Sequence, residues 1–343
     1  MKAVLFPGNR QVDVVDRPDP VPRPGEALVK MRASALCRSD MSLYYGKPVL
    51  ASEAAKTGMI IPGHEPAGEV VDVGSGVDGI RPGDRVAVYL AIGCGHCRWC
   101  HSGYRMLCPE FKCLGFDVDG ADADYLVAPA VNCLKLPDKL SFEAGAVMTD
   151  MIGTQYSAQK RLGVSGATTL AVFGIGPMGA AGVLIGKARG ARVIAADVLD
   201  DRLKMAKQLG ADEVVNSGNQ DATARLHELT DGVGVDVAID CSGNGKAQNS
   251  ALDSARRFGS VAFVGESKST TINPSDQLIR KQLQVIGAWY FPLSEFEEIS
   301  RFIVDKRIPV EKMITHRFSL DKAPEAFRMF DERKTEKAVF VWD

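Results

Sequence analysis

Gly63-His64-Glu65 sets an imidazole beside a carboxylate, and Cys37, in Cys37-Arg38-Ser39-Asp40, and Asp150 offer a sulfur and a further oxygen elsewhere in the chain. One His beside one Glu is more often a hydrogen-bonded surface pair than a pair of ligands. Joined by Cys37 and Asp150, His64 becomes one of three donor types suited to a single zinc. Three protein ligands leave a fourth position open, which marks a catalytic ion rather than a structural one. A second group is denser: Cys94, Cys97, Cys100 and Cys108 fall within fifteen residues. Four thiolates close a tetrahedron and leave no place for water, as a structural zinc requires. His96 and His101 interleave with these cysteines and are weaker substitutes, because two-residue gaps between cysteines suit a tight metal loop. Cys113, Cys133 and Cys241 lack such partners and read as small buried residues.

A third pattern is Gly174-Ile175-Gly176-Pro177-Met178-Gly179, between an apolar run from Thr168 to Phe173 and a helical stretch to about Arg189. The next β-branched run, Arg192 to Ala196, ends at Asp197, 21 residues past the second glycine. That context turns a weak glycine motif into a dinucleotide site. The glycines let backbone approach a pyrophosphate at a helix N-terminus, and Asp197 can accept from ribose hydroxyls.

The elements that must carry these residues fall into two kinds. Residues 1 to about 150 hold short alternating runs (Glu26 to Met31, Glu69 to Val73, Asp84 to Val88) separated by Pro and Gly, which predicts a β-rich domain. A helix is expected from Ser141, its N-cap, carrying Asp150 towards its end; a carboxylate there is ordinarily solvated. Beyond Asp150, strands and helices alternate (Val235 to Ile239, Ser260 to Gly265, Gln284 to Gly287), which predicts a doubly wound parallel sheet and an α/β fold. A helix with Phe296, Ile299 and Ile303 on one face and a terminal strand from Lys337 return to the first domain. The expected division is 1–150 with 289–343, and 151–288 inserted between them.

Composition limits the partners. The chain has 343 residues, 45% hydrophobic and 24% charged, with a net charge of -2, so no basic field exists for nucleic acid or anionic lipid. Eight cysteines without an export signal point to metal rather than disulfides and to the cytoplasm. Leu162 to Gly186, 25 residues without charge, is long enough to span a membrane, but seven glycines and Pro177 break it into strand, turn and helix.

Over nearly its whole length the sequence resembles the zinc-dependent medium-chain alcohol dehydrogenases. Gly63, His64, Glu65, Gly68 and Gly74 meet that family's signature, and the four-cysteine lobe and the glycine motif stand in their family places. The resemblance implies a GroES-like catalytic domain plus a Rossmann domain, one catalytic and one structural zinc per chain, NAD, and a homodimer or homotetramer. It implies Cys37 and His64 as catalytic zinc ligands with Asp150 third, and Glu65 as a neighbour or a direct ligand. Asp40 would hold the His64 ring, and Ser39 would take the substrate proton. Thr154 would pack on the nicotinamide, and the backbone at Gly265 would meet its carboxamide. Gly174, Gly176, Gly179 and Asp197 would bind the adenosine half. Arg202 is the one nearby cation that would favour NADP, its blander reading being a solvated helix face. One departure is Ser42, where many relatives have a histidine.

The implied reaction converts a primary, secondary or polyol alcohol to an aldehyde or ketone, with polyol or L-threonine dehydrogenation as the alternative. A zinc-free enoyl or quinone reductase and a non-catalytic NAD(H)-binding sensor are the rivals, and neither has a use for the full ligand set. Tyr44, Tyr45, Met59, Phe116, Trp289 and Tyr290 would line an apolar pocket or pack a core, whereas the acidic third ligand resembles polyol, threonine and secondary-alcohol relatives.

Overall fold

The structure is a computed structural model that describes residues 1–47 and 59–343. The chain divides into two compact units, the first made of Met1–Asp150, Pro292–Val304 and Pro309–Asp343 and the second of Met151–Phe291 and Asp305–Ile308. The frame of the first is a seven-stranded sheet. Its long strand, Glu26–Ala35, alternates, with Ala27, Val29, Met31 and Ala33 wholly buried, because successive side chains of a strand take opposite faces. Pro66–Val73 pairs antiparallel with it on one side and Lys337–Val341 on the other. The terminal strand is therefore internal, flanked on its far side by the parallel strand Ile314–Phe318.

Register decides where chemistry can occur. Ser34 faces Pro66 across one ladder and Phe340 across the other. Three residues beyond Ser34 lies Cys37, two before Pro66 lies His64, and three before Phe340 lies Lys337, so all three emerge at one end of the sheet. Tyr125–Pro129 also pairs with the long strand, while Arg85–Val88 and Cys133–Lys135 extend the sheet beyond Pro66–Val73.

Gly63 enters the His64 turn at φ +93°, and a Cβ there would lie 2.4 Å from Asp122 Oδ1. Only glycine satisfies both the left-handed backbone and the contact. Backbone bonds from Ala121 and Asp122 to the carbonyls of Gly63 and Pro62, 2.9 Å each, hold this turn.

Ser141 caps the helix Phe142–Val147 by accepting from Ala144 N at 3.0 Å. The sequence predicted a helix from Ser141 that carries Asp150 towards its end. Asp150 sits on a π-helical turn, Met148–Ile152, that follows Phe142–Val147. The wider turn inserts a residue and so re-aims the side chains it carries, a device common at functional sites.

The second unit contains a six-stranded parallel sheet in the order Glu213–Asn216, Arg192–Asp197, Thr169–Phe173, Val235–Asp240, Ala255–Phe263, Gln284–Gly287. Numbered along the chain this is 3-2-1-4-5-6, the doubly wound order whose reversal lies beside the first strand. Phe173, Ile194, Val215, Leu226 and Val261 belong to one buried cluster in this unit. The uncharged run resolves into the strand Thr169–Phe173 and the helix Pro177–Ala188. Among the described residues no helix is long and apolar enough to cross a membrane.

Candidate metal centres and nucleotide site

At the common end of the seven-stranded sheet, donor atoms of Cys37, His64, Glu65 and Asp150 all lie within 4.8 Å of one another. Cys37 Sγ is 3.4 Å and His64 Nε2 3.9 Å from Asp150 Oδ2. One buried carboxylate places two of these donors: Asp40 Oδ2 accepts from the Cys37 N–H at 2.8 Å, and Asp40 Oδ1 lies 2.8 Å from His64 Nδ1. That leaves Nε2 turned to the cluster, the arrangement in which a carboxylate fixes the orientation of a metal-binding imidazole. Phe116 packs on the same ring, with centroids 5.3 Å apart. Ser39 is solvent-exposed, and its Oγ is 3.2 Å from His64 Nε2.

Burial is the largest influence on Cys37 and raises its thiol pKa, with the Asp150 charge adding to the rise. Burial works to lower His64, but Asp40 and Cys37 outweigh it and lift the imidazole well above its ordinary value. A dication among the four donors would reverse both trends, since zinc binds thiolate and neutral imidazole. The residues fit such an ion in a further respect. Glu65 is wholly buried, and its Oε2 has no hydrogen-bond partner. A buried carboxylate oxygen left alone is costly unless a cation or donor meets it.

Cys94, Cys97, Cys100 and Cys108 form a second cluster within the same 4.8 Å limit. The Cys108 sulfur accepts from the Cys94 N–H at 3.3 Å and the Glu110 N–H at 3.4 Å. Backbone donation, from Cys100 foremost, draws Cys97 down to about 7, while burial drives Cys100 up to about 12. Four sulfurs in one loop with amides aimed at them suit a closed tetrahedral ion. Of the interleaved histidines, exposed His96 comes close enough to Cys94 and Glu110 to group with them, and among the described residues His101 joins no such group.

In the second unit Gly176 caps the helix Pro177–Ala188, with Pro177 in its first turn and Met178 behind it. A Cβ on Gly179 would lie 1.9 Å from the Gly174 carbonyl oxygen, so the helix packs on the strand end only because that side chain is missing. Asp197 ends the second strand, buried, and takes the Ile175 N–H on Oδ2 at 2.6 Å and the Leu199 N–H on Oδ1 at 3.0 Å. Arg202 is not the solvated helix residue of the blander reading: its Nη1 is 3.8 Å from Asp197 Oδ2 and 3.9 Å from where a Gly176 Cβ would stand. Gly265 packs on the Cys241–Gly243 turn, where a Cβ would lie 2.2 Å from Gly243 N. Thr154 is buried and its hydroxyl has no partner.

Three residues offered as pocket lining are packing residues. Tyr44 lies against Phe6 and Phe327, the Tyr45 hydroxyl donates to Asp331, and Phe116, 2% exposed, backs His64. Sequence reasoning also passed over Lys337 and Asp122. Lys337 Nζ donates to Glu65 Oε1 at 2.5 Å and to Leu36 O at 2.8 Å. Its only signal was a lysine opening an otherwise apolar strand, Ala338-Val339-Phe340-Val341. Asp122 is buried beneath Gly63 and accepts from Ser34 Oγ at 2.7 Å.

Residues 23–138 match the family described as alcohol dehydrogenase GroES-like domain, and residues 177–305 match zinc-binding dehydrogenase. The chain is 37% identical to an uncharacterised zinc-type alcohol dehydrogenase-like protein, YphC, of Escherichia coli K12, over 99% of this chain and 98% of that protein. It is 35% identical to the L-threonine 3-dehydrogenase of Pyrococcus horikoshii, over 96% and 94% of the two chains. Among solved structures, the alcohol dehydrogenase TADH from Thermus sp. ATN1 superposes with a TM-score of 0.92 at 28% identity, covering 99% of each chain.

Proposed function

The chain belongs to the zinc-dependent medium-chain alcohol dehydrogenase family, and on that premise we propose that it oxidises a secondary hydroxyl of a polyol or amino alcohol to a ketone, with NAD as the hydride acceptor. The observation that carries this reading is the convergence of Cys37, His64, Glu65 and Asp150 within 4.8 Å, with the Ser39 hydroxyl beside them. Zinc held by Cys37, His64 and Asp150 would supply the positive charge that makes a hydroxyl proton acidic near neutral pH, and NAD would supply the hydride acceptor.

The chain's own residues do the rest. Asp40 keeps Cys37 and His64 in place together, so neither donor has to reorganise when substrate arrives. Ser39, exposed at the edge of the cluster, carries the proton outward. Asp197 would accept from the adenosine ribose and disfavour a 2′-phosphate, and Arg202 is drawn to Asp197, 3.8 Å away, rather than turned towards such a phosphate. Thr154, buried and with an unpartnered hydroxyl, would pack against the nicotinamide. The cysteines of the 94–108 loop would hold a second zinc and leave it no open position, which suits a structural role.

The acidic third ligand supports a polyol or amino-alcohol substrate, and the Pyrococcus relative favours L-threonine as a specific case. The test is NADH formation by zinc-loaded protein on a panel of primary alcohols, secondary alcohols, polyols and L-threonine. Turnover on a polyol or on L-threonine that disappears when zinc is removed is the expected result. Equal turnover by zinc-free protein, or preference for simple primary alcohols, would overturn it.

A further inference from the structure

Glu65 stands in an unusual position for a carboxylate so close to three metal donors. It is wholly buried, one oxygen is held by Lys337 at 2.5 Å, the other has no partner, and one of the two lies within 4.8 Å of the Cys37, His64 and Asp150 donors. Lys337 is itself 1% exposed and reaches this point from the first residue of the terminal strand. Its second bond, to Leu36 O at 2.8 Å, grips the residue just before Cys37. A single ammonium thus ties both ligand-bearing turns. Among the described residues it is the one cation paired with Glu65.

We propose that Lys337 is a positioning residue that holds Glu65 back from the metal, so that the fourth coordination position stays available to the substrate hydroxyl. The inference rests on the zinc reading of this site. Its physics is competition for one carboxylate. Buried away from water, Glu65 needs a positive partner. With Lys337 present that need is met on one side, and the carboxylate remains beside the donors without joining them. Without Lys337 no cation paired with Glu65 would remain among the described residues, and the carboxylate would turn to the metal and fill the position that substrate needs.

The test uses full-length protein with cobalt exchanged into the Cys37 site and zinc left in the four-cysteine loop. The visible bands of four-coordinate cobalt follow the identity of its fourth ligand, and added imidazole shifts them only where that position is open, which reports occupancy without turnover. Lys337→Met should weaken that imidazole-induced shift and raise KM about 10- to 100-fold with a smaller change in kcat, because only the fraction with an open position binds substrate. Lys337→Arg, which keeps a cationic donor, should restore both. Lys337→Met combined with Glu65→Gln should match Glu65→Gln alone in spectrum and KM, and this pair decides the matter if the single Met variant does not fold. A folded Lys337→Met with the wild-type spectrum, or a double variant unlike Glu65→Gln, would overturn the role of Lys337 alone. Wild-type protein that takes no cobalt at Cys37 would overturn the zinc reading with it.

Discussion

Asp40 and Asp122 are both buried carboxylates near His64, and they do opposite things. Asp40 is engaged by a ligand on each oxygen, whereas Asp122 has a serine hydroxyl for its principal partner, and burial drives it up to about 7 from 3.8. The sign of its linkage follows. Between those values the folded chain keeps a proton that the unfolded chain has released, so the stability associated with Asp122 is complete below pH 3.8 and is lost as pH rises through about 7. Asp122→Asn keeps an oxygen for Ser34 and is never charged. It should therefore gain stability over wild type at pH 8, on the order of 2–4 kcal/mol, and little at pH 4. Urea denaturation at the two pH values checks this, and parallel curves would contradict it. Ser39 is testable more directly: Ser39→Ala should slow hydride transfer about 10²- to 10⁴-fold, the usual worth of a positioned proton transfer, with NADH affinity unchanged. Cys37 and His64 were legible in sequence because their side chains are rare and chemically specific. Asp122 and Lys337 were not, since an aspartate in Gly-Ala-Asp-Ala-Asp and a lysine at a strand end look like surface residues until burial is known.

Elements decide whether those residues meet. The strands beginning at Glu26, Thr169, Arg192, Val235 and Gln284, and the part of Pro66–Val73 from Glu69, could be read from short alternating or apolar runs, and the cap at Ser141 from its position before Phe142. The π turn at Met148–Ile152 could not, because it changes the number of residues per turn without changing their polarity. Two substitutions test elements separately. Gly179→Ala forces a Cβ to within 1.9 Å of the Gly174 carbonyl, so the helix must shift, at a cost on the order of 1–3 kcal/mol, and NADH binding should weaken while both zincs remain. Calorimetry with NADH and a zinc assay read the two effects. Cys100→Ser should remove one zinc per chain and lower the melting temperature while leaving the Cys37 site filled. Loss of the catalytic ion with unchanged melting would reverse the two assignments.

At the scale of the molecule, the metal cluster belongs wholly to the first unit and the glycine turn wholly to the second. His64→Ala should therefore abolish turnover and lower zinc content while NADH binds with unchanged affinity by titration; a parallel loss of NADH binding would contradict that independence. The outline of two units was legible because the β-rich and alternating stretches differ in period, and the apolar run from Lys337 gave the terminal strand and its return to the first unit, but not its place inside the sheet. That return has a consequence for synthesis. The donors lie between Cys37 and Asp150, but the strand that completes their sheet begins at Lys337, which a ribosome reaches roughly 10–40 s after Asp150. A nascent chain thus carries every ligand long before it has the counter-charge and the strand that order them. A premature stop shortly before residue 337 would leave Glu65 without its ammonium and the strand Glu26–Ala35 with an open edge where Val339 to Val341 should pair.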